Sequence, residues 1–177
     1  MNVLITGAAG YIGQQLVKSL VEQQKHHVIA ADIRDVSPFE HHENLAYVML
    51  DVRSKEAETI IKEYEVDVVV HLASIVTPGK TSNREFEYSV DVLGTKNILR
   101  ACVKNGVKRI VISSSGAAYG YHSDNPDWLV ETSAIRGNVE FAYSYHKRLV
   151  EEMLRDYREL HPELEQTIFR IGTILGE

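Results

Sequence analysis

The feature that most constrains the fold is an apolar run that passes through three closely spaced glycines into a helical pattern. Residues 2–6 form the run, Gly7, Gly10 and Gly13 follow, and apolar residues then recur at helical spacing. Glycine permits a tight turn and lets the main chain approach a bound group, while a helix N-terminus stabilises negative charge. A strand, a glycine turn and a helix in this order indicate a site for a dinucleotide pyrophosphate.

An acidic residue strengthens this interpretation. Asp32 lies nineteen residues after Gly13 and ends a second apolar run. In dinucleotide-binding folds, an acid at about this distance accepts hydrogen bonds from the adenosine ribose hydroxyls. A carboxylate there repels a 2′-phosphate, which favours NAD over NADP. Arg34 is either a partner for such a phosphate, which keeps NADP open, or a solvated loop charge.

Apolar runs alternate with amphipathic stretches along the whole chain. Strands are predicted over 2–6, 27–32, 45–50, 66–72, 108–114 and 166–172, and helices over 11–24, 54–64, 84–105 and 141–161. Buried strands that alternate with helices predict an α/β protein with a doubly wound parallel sheet, the Rossmann fold. We therefore expect residues 1–177 to form one NAD(P)-binding domain.

Composition narrows the function classes. The net charge of −6 gives no basic footprint for nucleic acid or an anionic membrane, and no apolar run approaches the length of a membrane span. The chain enters a strand at once, which leaves no room for a secretory signal, and the single cysteine, Cys102, fits a core position in a cytoplasmic protein. None of the eight histidines shows the spacing of a helical metal-ligand pair, so no metal is expected.

A long irregular stretch is predicted over 116–138. Loops of this length in a compact domain are usually lids or binding loops. Tyr119, Tyr121 and Trp128 lie in it. These aromatic side chains would either pack on a ligand or anchor the loop to the body of the protein.

A tyrosine and a lysine four residues apart occupy the last predicted helix. Tyr143 and Lys147 would lie on one face of it. A nearby ammonium lowers a tyrosine pKa, which suits proton exchange with an alcohol or ketone as hydride transfers. The lysine can also hold the nicotinamide ribose. The spacing alone often occurs by chance, but here it follows the fifth strand of a dinucleotide fold.

Three serines end that fifth strand. The carboxyl ends of parallel strands border the ligand crevice of an open α/β sheet, so one hydroxyl of 113–115 can hold a substrate oxygen. For Ser113 and Ser114, a polar strand end that caps its own turn is a credible alternative.

Together these motifs resemble the extended short-chain dehydrogenase/reductases, the NAD-dependent epimerase/dehydratase group. The resemblance runs from the glycine turn to the segment 170–176, which would pass beside the nicotinamide. It implies Ser115, Tyr143 and Lys147 as catalytic residues. It assigns the cofactor to Gly7, Gly10, Tyr11, Ile12, Gly13, Asp32, Ile33, Asp51, Val52, Leu72, Ala73, Ser74, Tyr143 and Lys147.

The chain departs from the family pattern in two places. Asp91 stands where members usually carry asparagine, which bears on any contact that needs an amide there. Extended members also continue into a smaller C-terminal region that closes over the substrate, whereas this chain stops at Glu177. The chain is then either a truncated piece or an unusually minimal protein, and we expect a truncated piece from which the substrate region is absent.

The resemblance implies an NAD-dependent enzyme that moves a hydride between nicotinamide and a secondary alcohol or ketone. The net reaction can be epimerisation, dehydration or simple oxidation and reduction. A nucleotide-sugar is the family's usual small-molecule substrate, while steroid, flavonoid and simple carbonyl substrates stay open. The alternative is a non-catalytic dinucleotide-binding sensor or regulatory domain, although all three catalytic residue types are present. The family also implies a homodimer through helices 84–105 and 141–161, but burial within a monomer would explain the same apolar stripes.

Overall fold

In the computed structural model, which describes residues 1–76 and 83–176, six parallel strands form one sheet. The strands are β1 (Asn2–Thr6), β2 (His27–Asp32), β3 (Leu45–Met49), β4 (Val68–His71), β5 (Arg109–Ser115) and β6 (Glu165–Ile171). Their order is β3-β2-β1-β4-β5-β6, with every neighbouring pair parallel. The predicted doubly wound sheet is confirmed. Because the order reverses between β1 and β4, a crevice opens beyond the carboxyl ends of these two strands.

Helices cover both faces of the sheet. They are α1 (Tyr11–Gln23), α2 (Glu56–Glu63), α3 (Arg84–Tyr88), α4 (Thr95–Lys104) and α5 (Ala142–Leu160). A π-helical segment, Ser89–Gly94, joins α3 to α4. The predicted helix over 84–105 is therefore correct in extent but wrong as one continuous α-helix. Hydrophobic periodicity did not reveal the π turn, a local widening that often marks functional sites.

The apolar core lies on both sides of the sheet, as its strands require. Leu4 packs with α2, α4 and α5 on one side, while Val3 and Ile5 pack with α1 on the other. Successive side chains of one strand point to opposite faces of the sheet, and both faces are covered by helices. This is why the strands are apolar at nearly every position. Cys102 is fully buried on α4, and burial raises the pKa of its thiol to about 12. That environment suits a small core side chain.

The predicted loop over 116–138 begins as a short 3₁₀ helix, Gly116–Tyr119. Tyr119 is buried and its hydroxyl donates to the Val130 carbonyl at 2.9 Å. Trp128 and Tyr121 are instead 87% and 67% exposed. The anchoring interpretation therefore describes Tyr119, while the other two side chains stand on the surface.

Candidate active site

The glycine turn brings β1, α1 and the end of β4 into close contact. Gly7 has a φ of +69°, and a Cβ built there would lie 2.8 Å from the Ala73 backbone nitrogen. A Cβ on Gly13 would lie 2.6 Å from the Ala8 carbonyl oxygen. The N-cap residue of α1 is Gly10, which has no side chain to accept hydrogen bonds from the start of the helix. The first N–H groups of α1 therefore remain available to an anion.

Replacing Gly13 with alanine is expected to destabilise the fold by about 3 kcal/mol, because backbone rather than a flexible side chain occupies the space. Urea unfolding measures the loss. The matched control is Gly106→Ala: Gly106 has a φ of +67° but nothing within 4 Å, so only about 1 kcal/mol of backbone strain is expected. Equal losses in the two variants would contradict tight packing at Gly13.

A crevice of about 360 Å³ lies beyond the carboxyl ends of β1, β2 and β4. The predicted cofactor residues that line it are Gly7, Gly10, Asp32, Ile33, Asp51, Val52, Leu72, Ala73 and Ser74. Sequence reasoning missed Leu50 and Ile75. Leu50 directly precedes the predicted residue Asp51 and Ile75 directly follows Ser74, so extending each predicted segment by one residue would have found them. It also missed Phe86 and Val90, which reach the crevice only because α3 and the π-helical segment cross it.

The carboxylate of Asp32 is held by two backbone groups. Its Oδ2 accepts the Ala9 N–H at 3.0 Å and its Oδ1 accepts the Arg34 N–H at 3.2 Å. The Arg34 guanidinium donates to the Ala9 carbonyl at 3.0 Å and has its Nε 4.0 Å from Asp32 Oδ1. The crevice thus presents both Asp32, the acid predicted to bind the ribose, and the cation Arg34.

Asp51 lines the same crevice but is paired with its neighbour. Arg53 contacts it at 2.6 Å, and this hydrogen bonding lowers the pKa of the Asp51 carboxyl. The Arg53 guanidinium also lies 5.0 Å from the centre of the Phe86 ring. The predicted cofactor residue Asp51 therefore belongs to a polar and aromatic cluster that it forms with Arg53 and Phe86.

A second crevice, of about 350 Å³, contains all three predicted catalytic residues. Ser115, Tyr143 and Lys147 line it together with Ile12. Leu72 and Ser74 line both crevices, so the two are adjoining parts of one cleft. Among the predicted cofactor residues, Tyr11 and Gly13 lie outside both crevices as the described residues define them: Gly13 packs beneath the turn, and the Tyr11 hydroxyl lies over Gly176.

The ammonium of Lys147 makes its hydrogen bond with strand β5 and not with Tyr143. Its Nζ donates to the Ser113 carbonyl at 2.9 Å and lies 5.5 Å from the centre of the Tyr143 ring. Ser115 accepts the Ala117 N–H at 3.1 Å. Burial raises the pKa of Tyr143, and a hydrogen bond with Ser115 opposes that rise. The pKa of Tyr143 is raised overall because burial has the larger effect, and the lowering of this pKa by Lys147 stays a prediction.

Neither a metal centre nor a membrane span is found in the part of the chain that the structure describes. In residues 1–76 and 83–176, no group of three or more histidine, cysteine, aspartate or glutamate side chains is arranged to hold a metal ion. Within the same residues, no helix has the length and apolar character needed to cross a membrane.

Comparison with known protein families decides the classification. The model of the NAD dependent epimerase/dehydratase family matches residues 3–177. The chain belongs to this family. The resemblance carried by the glycine turn and the tyrosine–lysine pair is confirmed at the level of the family.

Individual relatives in the NAD dependent epimerase/dehydratase family cover two kinds of chemistry. The chain is 29% identical to a UDP-glucose 4-epimerase of Yersinia enterocolitica, covering 99% of this chain and 54% of that protein. It is 31% identical to a D-erythronate dehydrogenase of Haemophilus influenzae, covering 89% of this chain and 50% of that protein. The chain spans about half the length of the curated relatives that it matches.

A solved family structure shows the same architecture. The UDP-glucose 4-epimerase of Thermus thermophilus, determined in complex with NAD, superposes with a TM-score of 0.80 and 28% identity. The match covers 96% of this chain and 54% of that one. The described fold is therefore that of a family member.

Proposed function

We propose that the cleft binds NAD. The residues suit a dinucleotide because the turn has no space for side chains at Gly7 and Gly13, and the uncapped start of α1 offers N–H groups to a pyrophosphate. Asp32 would accept hydrogen bonds from the adenosine ribose, and Lys147 would hold the nicotinamide ribose. The NAD complex of the Thermus thermophilus relative supports this choice of cofactor.

The proposed chemistry is hydride transfer between nicotinamide and a secondary alcohol or ketone. When bound, the cofactor would accept the hydride as NAD⁺ in one direction and donate it as NADH in the other. Tyr143 takes the alcohol proton or returns it, and Ser115 holds the same oxygen. Lys147 stabilises the phenolate that forms. The observation that carries this proposal is that these three side chains share a crevice that adjoins the dinucleotide crevice.

The proposed substrate is a nucleotide-sugar. Relatives named as UDP-glucose 4-epimerases support it, and the D-erythronate dehydrogenase supports oxidation of a small hydroxy acid as the competing possibility. Epimerisation returns the hydride to the same substrate and leaves no net reduced cofactor, whereas dehydrogenation accumulates NADH.

The test incubates the protein with NAD and either UDP-glucose or D-erythronate. Formation of UDP-galactose without NADH accumulation supports the epimerase. NADH accumulation with D-erythronate supports the dehydrogenase and contradicts the nucleotide-sugar proposal. NAD binding without turnover of either compound would favour the dinucleotide-sensing alternative.

Replacing Asp32 with asparagine is expected to weaken NAD binding about tenfold, because charge-assisted hydrogen bonds to the ribose hydroxyls become neutral ones. The preference for NAD over NADP should narrow as well, since the group that repels a 2′-phosphate is lost. Isothermal titration with each cofactor measures both effects. Asp35→Asn is the control, because Asp35 is an exposed carboxylate three residues away. A preference unchanged by Asp32→Asn would contradict the assigned role.

Homodimerisation is part of this proposal as well. Leu93, in the π-helical segment of the stretch 84–105, is an exposed apolar side chain that such an interface would cover. A dimeric mass by light scattering is expected.

A further inference from the structure

A third crevice, of about 190 Å³, adjoins the crevice that contains the predicted catalytic residues. Val76 and Tyr143 line both, so a molecule that reaches Tyr143 can extend from one crevice into the other. The other walls of the third crevice include α3 and the segment 140–142 at the start of α5. We call this third crevice the side pocket.

One wall of the side pocket is aromatic. The Phe141 side chain is 47% exposed, and the centre of its ring lies 6.2 Å from the centre of the Tyr143 ring. Tyr121 extends the row outwards, with its ring centre 5.9 Å from that of Phe141. Exposed aromatic faces pack well against the apolar C–H groups of a ligand. A row of three rings therefore leads from the surface to Tyr143.

The remaining walls of the side pocket carry charged side chains. Arg84 donates to the Val139 carbonyl, and within the described residues its guanidinium has no carboxylate partner. Glu140 is exposed and makes no hydrogen bond or ion pair with any other described residue. Glu87 adds a buried carboxylate from α3. The side pocket thus offers a hydrogen-bond donor and two acceptor groups in a small space.

This mixture of walls discriminates between substrate classes. An apolar ring system such as a steroid would desolvate the charged side chains without giving them hydrogen bonds, which is costly. A carboxylate would gain from Arg84 but would also face Glu87 and Glu140, which repel it. A hydroxyl group donates to a carboxylate and accepts from a guanidinium. A sugar ring, with hydroxyls at its edge and C–H groups on its face, therefore matches both kinds of wall.

We propose that the side pocket binds the uncharged, hydroxyl-bearing sugar ring of the substrate, with Glu140 and Phe141 as specificity-determining residues. This rests on the proposed function, because it places the reacting carbon of the same sugar at Tyr143. Glu140 accepts hydrogen bonds from the ring hydroxyls, and Phe141 packs against the C–H face of the ring. A sugar that carries a carboxylate binds more weakly because Glu140 repels it.

The test of the charged wall is calorimetric titration of the NAD-loaded protein with UDP-glucose and with UDP-glucuronate. The wild type is expected to bind UDP-glucose more tightly. In Glu140→Gln the Kd for UDP-glucose should rise about fivefold while that for UDP-glucuronate falls, so the preference for the uncharged sugar narrows about tenfold. Glu159→Gln is the control, because Glu159 is an exposed glutamate at the far end of α5 and should leave both Kd values unchanged.

The test of the aromatic wall uses Phe141→Leu. Loss of the ring should raise the Kd for UDP-glucose and for UDP-glucuronate alike, each by about fivefold, because both sugars present the same C–H face. The Kd for NAD should stay within about twofold of the wild-type value, which also shows that the variant is folded. Phe169→Leu is the matched control, since Phe169 is 56% exposed on β6 and lies outside the side pocket as the described residues define it.

The outcomes separate this proposal from the proposed function. An unchanged preference in Glu140→Gln, or an unchanged UDP-glucose Kd in Phe141→Leu, would overturn the side pocket as the sugar site. Tighter binding of UDP-glucuronate than of UDP-glucose by the wild type would overturn it as well, as would absent binding of UDP-glucose to the NAD-loaded protein. Failure of the proposed function alone would appear as the expected changes in Kd without any formation of UDP-galactose by the wild type.

Discussion

Tyr143→Phe is expected to lower kcat about 10³-fold while the Kd for NAD stays within about twofold of the wild-type value. The substitution removes only the hydroxyl that is proposed to exchange a proton with the substrate. The ring, which lies 5.5 Å from the Lys147 ammonium, remains in place to fill the crevice. Steady-state turnover of UDP-glucose and calorimetric titration with NAD measure the two quantities.

Tyr145→Phe is the matched control for this substitution. Tyr145 lies on the same helix two residues later, and its ring packs on the Arg84 guanidinium at 5.6 Å. Loss of its hydroxyl is expected to change kcat less than about twofold, because the ring contact survives. Comparable losses of kcat in the two variants would indicate general damage to α5. Full activity in Tyr143→Phe would place the acid or base elsewhere.

The raised pKa of Tyr143 bears on the pH range of activity. Burial disfavours the phenolate, so without other contributions the tyrosine stays protonated at neutral pH. In that state it can donate a proton to a ketone oxygen, which is the reducing direction. Oxidation of an alcohol requires the phenolate and should therefore become faster as the pH rises.

The fold could be predicted from local patterns because each of its decisive signals is local. The glycine turn and the apolar strands are contained in short segments, and the alternation of strands and helices favours one parallel architecture. Strand bounds consequently agree with the structure to within two residues.

The site was only partly predictable because its remaining features depend on tertiary contacts. The four-residue spacing of Tyr143 and Lys147 predicts a shared helix face, but not that the Ser113 carbonyl of β5 receives the ammonium. Phe86 and Val90 reach the cofactor crevice through the path of α3 and the π-helical segment, for which the sequence carried no recognised signal. Burial, which determines the pKa of Tyr143, is likewise a property of the packed molecule.

Arg170→Met is expected to destabilise the protein by about 3–5 kcal/mol, because it leaves a buried carboxylate without its partner. Arg170 donates to both oxygens of Glu151 at 2.7–3.0 Å, and Glu151 also accepts the Ser114 hydroxyl. The same guanidinium donates to the Tyr119 hydroxyl and to the Glu131 carbonyl. The pair thus joins β5, β6, α5 and the loop that follows β5. Thermal and urea unfolding measure the loss.

Two further variants separate charge from packing. Arg109→Met breaks an exposed pair with Glu165 that joins β5 to β6, and its cost should stay within about 1 kcal/mol. Adding Glu151→Gln to Arg170→Met should recover part of the lost stability, since the uncompensated buried charge is then removed as well. A double variant no more stable than Arg170→Met would assign the loss to packing. A loss in Arg170→Met no larger than in Arg109→Met would show that the buried pair does not hold β6 and the loop in place.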